Sequence, residues 1–295
     1  MTGADRGFLL LTSRLGNPER NPLSVAQFRQ LTLRMQQNKD PQSDRELTQE
    51  DIFSLGYDKV YAERILTLLS EGELLEHYLA RGKRHGCFPV TRANPAYPAV
   101  LRQRLGLDAP GCIWAKGDLS LLDTQMIALV GSRNLQPRNR EFAAQVGREA
   151  ARQGITLVSG NARGADQIAQ NACLNAGGKV ISVVADQLID HPNNRSVLYL
   201  SEDSFDLPFS SLRALSRNRV IHGLGYLTIV AQSSLQTGGT WGGTVKNLRG
   251  NWSPVFCFDD GSPAARELEL LGATLITPEQ LEDYSKLQAT TQSFL

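Results

Sequence analysis

The 295-residue chain carries a formal net charge of +1 and a hydrophobic share of 41%, the balance of an ordinary globular protein able to bury a full core. Charge this even excludes a uniformly basic nucleic-acid binder; any such partner requires basic residues concentrated on one surface. The four cysteines, Cys87, Cys112, Cys173 and Cys257, form no CxxC pair, which argues against zinc or a disulfide framework and for a reducing, cytoplasmic setting.

At the N-terminus Asp5 and Arg6 precede an apolar stretch too short for a signal peptide, and no apolar run in the chain approaches a membrane span. The first 86 residues read as a small all-helical unit of the SAM or helix-hairpin-helix kind. Ser24 or Val25 opens a helix carrying Val25, Phe28, Leu31, Leu33 and Met35, and a polar, proline-containing loop covers Asn38 to Arg45. Thr48 with Asp51 offers an N-cap for a short helix ending near Leu55-Gly56. Asp58 caps a third helix, with Val60, Tyr61, Ile65, Leu68 and Leu69 on one side. A fourth runs from Glu73 to about Arg81 and stops at Gly82. Residues 87–122, with Pro89, Pro95, Pro98 and Pro110, read as a connector packing on the next domain, without long regular elements.

From residue 123 to 295 strands alternate with helices. The expected strands are Met126–Val130, Ile155–Val158, Lys179–Val184, Tyr226–Ala231, Pro254–Phe258 and a weaker one near Thr274–Ile276. Runs such as Ile127-Ala128-Leu129-Val130 are apolar on both faces, as in a parallel sheet covered on both sides. The intervening helices end at Gly154, Gly177 and Gly272. This pattern predicts an α/β fold: a Rossmann-like, doubly wound parallel sheet preceded by the helical domain.

Ligands of such sheets gather beyond the carboxyl ends of the strands. Four turns fall there: Gly131-Ser132-Arg133; Ser159-Gly160-Asn161-Ala162-Arg163-Gly164; the loop into Arg217-Asn218-Arg219; and Gln236-Thr237-Gly238-Gly239-Thr240, which enters a helix containing Lys246. A strand that ends in a small-residue turn and opens a helix offers backbone N–H groups to an anion, and arginine adds a bidentate donor suited to phosphate. The candidate phosphate- or nucleic-acid-binding residues are therefore Gly131, Ser132, Arg133, Ser159, Gly160, Asn161, Arg163, Gly164, Arg217, Asn218, Arg219, Gly238, Gly239, Thr240 and Lys246.

Taken singly, each has a plainer reading. Gly131 and Gly160 suit tight turns, Asp166 suits a helix cap or a pair with Arg163, and the Arg217–Arg219 stretch suits a solvated helix face. Lys246 suits plain surface charge. Four glycines within Gly238 to Gly243 are harder to dismiss, because they destabilise the helix they enter. No GxGxxG and no Walker A sequence is present, so no nucleotide cofactor is expected, and no metal cluster stands out.

In order along the chain, these motifs resemble the DprA/Smf family of DNA-processing proteins, a branch of the wider group that includes LOG-type nucleotide-binding Rossmann folds. Val130-Gly131-Ser132-Arg133 is similar to the family pattern, and Ser159 to Asp166 reads SGNARGAD where relatives commonly read SGLARGID. Ala169 to Gly178 resembles the family's AHxxALxxGG stretch, Arg217 to Ile221 its RNRII element, and Ser201-Glu202 its SE pair. Tyr97-Pro98, Asp108-Ala109-Pro110 and Lys116-Gly117-Asp118-Leu119 resemble the segment leading into the family's Rossmann domain. Departures are Gln170 where the family usually has histidine, Thr237 to Thr244 in place of an SGSLIT-like turn, and Asp259-Asp260 after Phe258 instead of Pro-Gly. No room follows for the winged-helix module of some relatives.

The resemblance implies a non-enzymatic protein that binds single-stranded DNA in DNA uptake or recombination, helps load a RecA-type recombinase, and forms a homodimer through its Rossmann domain. Arg133, Arg163, Arg217 and Arg219 would grip successive phosphates, with Trp241 either stacking on bases or buried. A second reading is a nucleotide-ligand sensor or a LOG-like phosphoribohydrolase using the same pocket. Gly242 to Asn247 lacks the acid that the LOG pattern carries there, which leaves Asp166 and Glu202 as carboxylates for such chemistry. A third is a protein-binding adaptor docking through the helical domain, whose Arg29, Arg34 and Arg64 also suit DNA.

Overall fold

The computed structural model describes residues 2–38, 47–92, 94–202 and 204–287. The N-terminal helices begin where a side chain takes over the first free N–H groups. Thr2, Ser24 and Thr48 form capping boxes with Asp5, Gln27 and Asp51, opening α1 (Gly3–Thr12), α2 (Val25–Gln37) and α3 (Gln49–Ser54). Asp58 caps α4 (Lys59–Ser70), and α5 (Gly72–Arg84) follows. The loop expected over Asn38 to Arg45 lies, beyond Asn38, outside the described residues.

Three details differ from the sequence pattern. α1 is an additional helix, hidden in the sequence because four consecutive apolar residues, Phe8 to Leu11, carry no helical period. Gly82 does not end α5; a side chain there would meet Trp114 at 3.0 Å, so glycine permits a close approach. Val60 is 77% exposed, while Ala62, Ile65 and Leu68 bury the opposite side of α4 against Leu11, Leu31 and Ile52. Buried Arg20 cross-links these helices, donating to Glu71 Oε2 (2.5 Å) and to the carbonyls of Leu10 (2.5 Å) and Leu68 (3.2 Å).

The chain continues through β1 (Cys87–Thr91), α6 (Ala99–Leu105), β2 (Cys112–Lys116), β3 (Met126–Val130), α7 (Pro137–Arg152), β4 (Thr156–Ser159), α8 (Ala165–Asn175) and β5 (Val180–Val183). It ends with β6 (Val197–Ser201), α9 (Ser211–Ser216), α10 (Asn218–Leu224), β7 (Thr228–Val230), α11 (Gly238–Gly250), β8 (Val255–Phe258), α12 (Pro263–Leu270) and β9 (Thr274–Ile276). Among the described residues the strands form one sheet in the order β1-β2-β6-β5-β4-β3-β7-β8-β9. From β6 to β9 every pairing is parallel; β2 runs antiparallel to β6, and β1 antiparallel to β2. The fold is mixed α/β with a mostly parallel sheet, as the alternating pattern predicts. The six expected strands are present within two residues of their predicted ends. β1, β2 and β6 are additional: Pro89 disguises β1, which lies at the sheet edge where a missing N–H breaks no ladder.

Alternation along the strands feeds two cores. Ile127, Leu129 and Leu157 pack with Phe142, Val146 and Ala169 of α7 and α8, and with Leu9, Leu75 and Trp114. Ala128, Val130 and Val158 pack on the other face with Leu101, Val220, Leu224 and Leu268 of α6, α10 and α12. Among the described residues no helix is long and apolar enough to cross a membrane.

α7 and α8 cross at Gly147, where an added Cβ would press on the Ala169 backbone (2.9 Å to its carbonyl carbon) and lie 3.0 Å from Cys173 N. Backbone cannot yield as a side chain can, so Gly147→Ala is expected to destabilise the protein by about 1–3 kcal/mol. A urea midpoint for Gly147→Ala equal to that of the native chain would contradict this close crossing.

Candidate functional site

The order of strands dictates where a ligand can enter. From β3 the chain proceeds through α7 to β4 on one side, whereas β7, on the other side of β3, leads through α11 to β8 farther outward. The connections therefore diverge beyond the ends of β3 and β7, leaving a crevice uncovered. A cleft of about 640 Å³ opens there, lined by Gly131, Ser132 and Arg133 after β3, by Arg217, Asn218 and His222, and by Thr237 to Thr240 at the start of α11. Beside it lies a cleft of about 420 Å³, bounded by Gly160, Asn161, Arg163, Asp186 and Phe209. The two share Arg133, Ala162, Ala214 and Arg217.

The turn after β4 is organised from within. The buried Asp166 carboxylate reaches back from the first turn of α8 and accepts from the N–H groups of Gly160 (3.1 Å) and Ala162 (3.3 Å). Two of the donors expected to face a ligand are thus taken by the protein's own anion. Asn161 (φ 55°) and Gly164 (φ 96°) adopt the left-handed conformations this tight path needs. Gly164 has a further reason: a side chain there would strike the carbonyl oxygens of Ser132 and Arg133. The same approach lets Ala165 N donate to Ser132 O at 3.1 Å, locking the turns after β3 and β4 together.

Arg217, only 6% exposed, closes the arrangement. Its guanidinium donates to Gly160 O at 2.9 Å and fills the space that a side chain at residue 160 would occupy. Burial lowers the Arg217 pKa, opposed by the Asp166 charge; burial likewise raises that of Asp166, opposed by Arg217 and the two N–H donors. Each ion makes the other tolerable in a dry setting.

The clefts collect Gly131, Ser132, Arg133, Gly160, Asn161, Arg163, Arg217, Asn218, Gly238, Gly239 and Thr240 of the candidate set. Four candidates lie elsewhere. Ser159 is fully buried and accepts from Gln170 Nε2 at 2.7 Å, so the glutamine in the unusual position has a structural partner. Gly164 sits beneath the turn at its contact with Ser132 and Arg133. Arg219 is committed to Glu202, to Asp108 O (3.0 Å) and to Ser216 O (2.9 Å), neither a solvated helix face nor a free phosphate donor. Lys246 is exposed two turns along α11, outside the cleft lining. Arg213, part of the same basic stretch, is likewise spent on the carbonyls of Ala185 (2.8 Å) and Leu207 (2.7 Å).

Two residues, Phe209 and His222, escape the sequence pattern, and a third, Asp166, has a role other than the cap or Arg163 pair that the pattern suggests. Phe209 is 54% exposed and presents an aromatic face beside Arg133 and Arg163, whereas Trp241 is half-buried and packs against the sheet core. His222 is buried at the cleft wall, four residues after Asn218 on α10. Asp166 acts as the organiser of a turn rather than as a simple cap. An exposed aromatic before a basic stretch was the one available signal; nothing local marks a histidine as buried.

Replacing Gly160 with alanine must expel the Arg217 guanidinium, so Gly160→Ala is expected to cost about 1–3 kcal/mol. Arg217→Lys should not restore stability to that variant, since a lysine lacks the planar fork; chemical denaturation of both variants checks this. A second expectation concerns acid. Burial, with the nearby Arg217 charge, pushes His222 down to about 3 from 6.5, so only the unfolded chain takes up this proton between those values. The His222 contribution to stability is therefore whole above pH 6.5 and is lost progressively as pH falls toward 3, by at most about 1.4 kcal/mol per unit. Unfolding free energies from pH 7 to 4 should fall less steeply in His222→Ala than in the native chain.

Residues 89–247 match the DNA recombination-mediator protein A family. DNA processing protein DprA of Bacillus subtilis is 30% identical over 176 residues, covering 56% of this chain and 58% of that protein. Protein Smf of Escherichia coli is 30% identical over 142 residues, covering 44% and 38%. The chain thus spans roughly two fifths to three fifths of the length of these relatives. Among solved structures, DprA from Streptococcus pneumoniae superposes with a TM-score of 0.75 at 21% identity, over 98% of this chain and 100% of that one. A Helicobacter pylori DNA processing protein A, solved for its single-stranded DNA binding mode, gives 0.53 at 24% identity over 64% and 90%. With more than half of its length matched to the family, and with the family's turns meeting at the β3–β7 crevice, this chain belongs to the DprA/Smf family of DNA-processing proteins.

Proposed function

We propose that the paired clefts bind single-stranded DNA without sequence preference, as part of DNA uptake or recombination. One observation carries the reading: exposed Arg133 stands on the rim common to two adjoining clefts, with exposed Arg163 on one side and the first turn of α11 on the other. A row of cationic and N–H donors along adjoining hollows suits a linear polyanion better than a single small ligand. Phe209 supplies an apolar face on which an unpaired base can stack, a contact unavailable inside a duplex. The Helicobacter pylori relative, solved for its single-stranded DNA binding mode, supports the same partner.

The reading is of a binding protein rather than an enzyme. The carboxylates nearest the clefts are engaged: Asp166 by the N–H groups of Gly160 and Ala162, Asp186 by His191 (2.8 Å), and Glu202 by Arg219. In this proposal Ser132, Asn161, Asn218 and Thr240 supplement the arginines, while Arg217 shapes the site from below. Loading of a RecA-type recombinase and formation of a homodimer are further parts of the proposal and rest on the family resemblance.

Fluorescence anisotropy of a labelled oligothymidylate across a salt series tests it. The native chain should bind with an affinity that falls with salt, and Arg133→Ala/Arg163→Ala should weaken it at least tenfold. The double variant should also flatten the log–log salt slope by about 0.7 for each phosphate contact removed. Binding unchanged in the double variant, or tighter to a duplex competitor, would sink the proposal.

A further inference from the structure

Residues 204–210, which lead into α9, are gripped by the helical domain. Asp206 turns its carboxylate inward, with 6% of the side chain exposed, and pairs with Arg81 of α5 at 3.0 Å. Tyr78, one turn earlier on α5, donates its hydroxyl hydrogen to Asp206 Oδ1 at 2.6 Å, and the Ser204 hydroxyl donates to the same oxygen. A charged acceptor makes such bonds about twice as strong as neutral ones. Gly16, at φ 77°, leaves room for this carboxylate: a side chain there would lie 3.3 Å from Asp206 Oδ2. Beside it Phe205 is fully buried, stacked on Tyr78 (4.4 Å between ring centroids) and tilted against Trp114 (4.7 Å).

The far side of the segment is fixed as firmly. Arg213 donates to the carbonyls of Ala185 (2.8 Å), Leu207 (2.7 Å) and Pro208 (2.9 Å), and Ser210 Oγ caps α9 by accepting from Arg213 N at 3.1 Å. Phe209 stands between these two anchorages, 54% exposed, on the wall of the cleft that holds Arg133 and Arg163. At most about 11 Å of chain separates it from Asp206, so the anchor limits where the ring can be. An aromatic held in place loses less entropy on receiving a base than one carried by a loose loop.

We infer that the helical domain takes part in the nucleic-acid site: Asp206, gripped by Tyr78 and Arg81, is a positioning residue that holds Phe209 at the cleft for an unpaired base of the strand. This role rests on the single-strand reading, in which Phe209 receives a base. Asp206 lies outside the lining of both clefts and has the wrong sign for a phosphate, so it acts through the three residues that follow it. Charge alone makes the opposite prediction, because deleting a carboxylate tightens binding to any polyanion.

Anisotropy on the full chain compares labelled oligothymidylate with a strand of equal length made of abasic sites, which keeps every phosphate and offers no base. The native chain should prefer oligothymidylate, and Phe209→Ala should abolish the preference. Asp206→Ala should bring the ratio of the two affinities down toward that of Phe209→Ala, by about three- to tenfold, the scale of ordering one side chain on binding. The abasic strand should bind that variant as tightly as the native chain or more so. A partly unfolded variant would lose both strands in proportion and leave the ratio alone. Tyr78→Phe keeps the ring stack and deletes only the hydroxyl; it should move the ratio the same way, and it decides the matter should Asp206→Ala not fold. In a Phe209→Ala background neither substitution should change the ratio further. A native ratio retained in Asp206→Ala and Tyr78→Phe would overturn the inference while leaving single-strand binding intact, as would equal affinity of the native chain for the two strands. A native chain that binds neither strand at low salt would instead sink the single-strand reading and this role with it.

Discussion

The guanidinium of Arg217 occupies the volume that any side chain at residue 160 would need, and it donates to the carbonyl of that same glycine. From the opposite side Asp166 takes the Gly160 and Ala162 N–H groups. Turn, helix start and the two buried charges therefore define one another. The turn after β3 joins through the contact of Gly164 with Ser132 and Arg133, which brings three of the four strand-end turns into one rigid piece. Desolvation is the cost of this design, and mutual neutralisation in a fixed hydrogen-bonded geometry offsets it.

This organisation separates two uses of arginine. Arg213, Arg217 and Arg219 spend their donors on carbonyls and carboxylates of the protein, holding α9 and α10 against the strand ends. Arg133 and Arg163 remain exposed on the rims of the clefts. A near-neutral chain can then present local positive charge without being basic overall, because much of its cationic content serves as internal cross-links. The glycines divide in the same way. Gly131, Gly147, Gly160 and Gly164 admit close approaches of neighbouring atoms, whereas Gly238 starts α11 at φ 83° with open space around it.

The sheet explains why so much converges at one place. Its order reverses between β3 and β7, so α7 and α11 leave in opposite directions and leave the crevice uncovered. β1 and β2, added antiparallel beyond β6, lengthen the sheet far from that crevice and carry Trp114 into the core shared with α1 and α5. The N-terminal helices are thereby packed against the same body that bears the clefts.

Local pattern was enough for the alternation of strands and helices from Met126 onward, since fully apolar runs between glycine-terminated helices have few other solutions. It was enough also for the capping residues Ser24, Thr48 and Asp58, whose hydrogen bonds span three residues. The four strand-end turns could be recognised for the same reason: a turn that ends a strand and opens a helix is written in neighbouring residues. Which arginine faces solvent was not, because Arg217 and Arg219 are two residues apart and both find partners more than fifteen residues away, in Gly160 and Glu202. Nor was the placement of β1, whose proline is acceptable only at a sheet edge, or the burial of His222 beside Thr228 and Asn247. Sequence determined the elements and the residue types at their ends; burial and long-range pairing, which exist only in the folded chain, decided which of those residues remain available to a ligand.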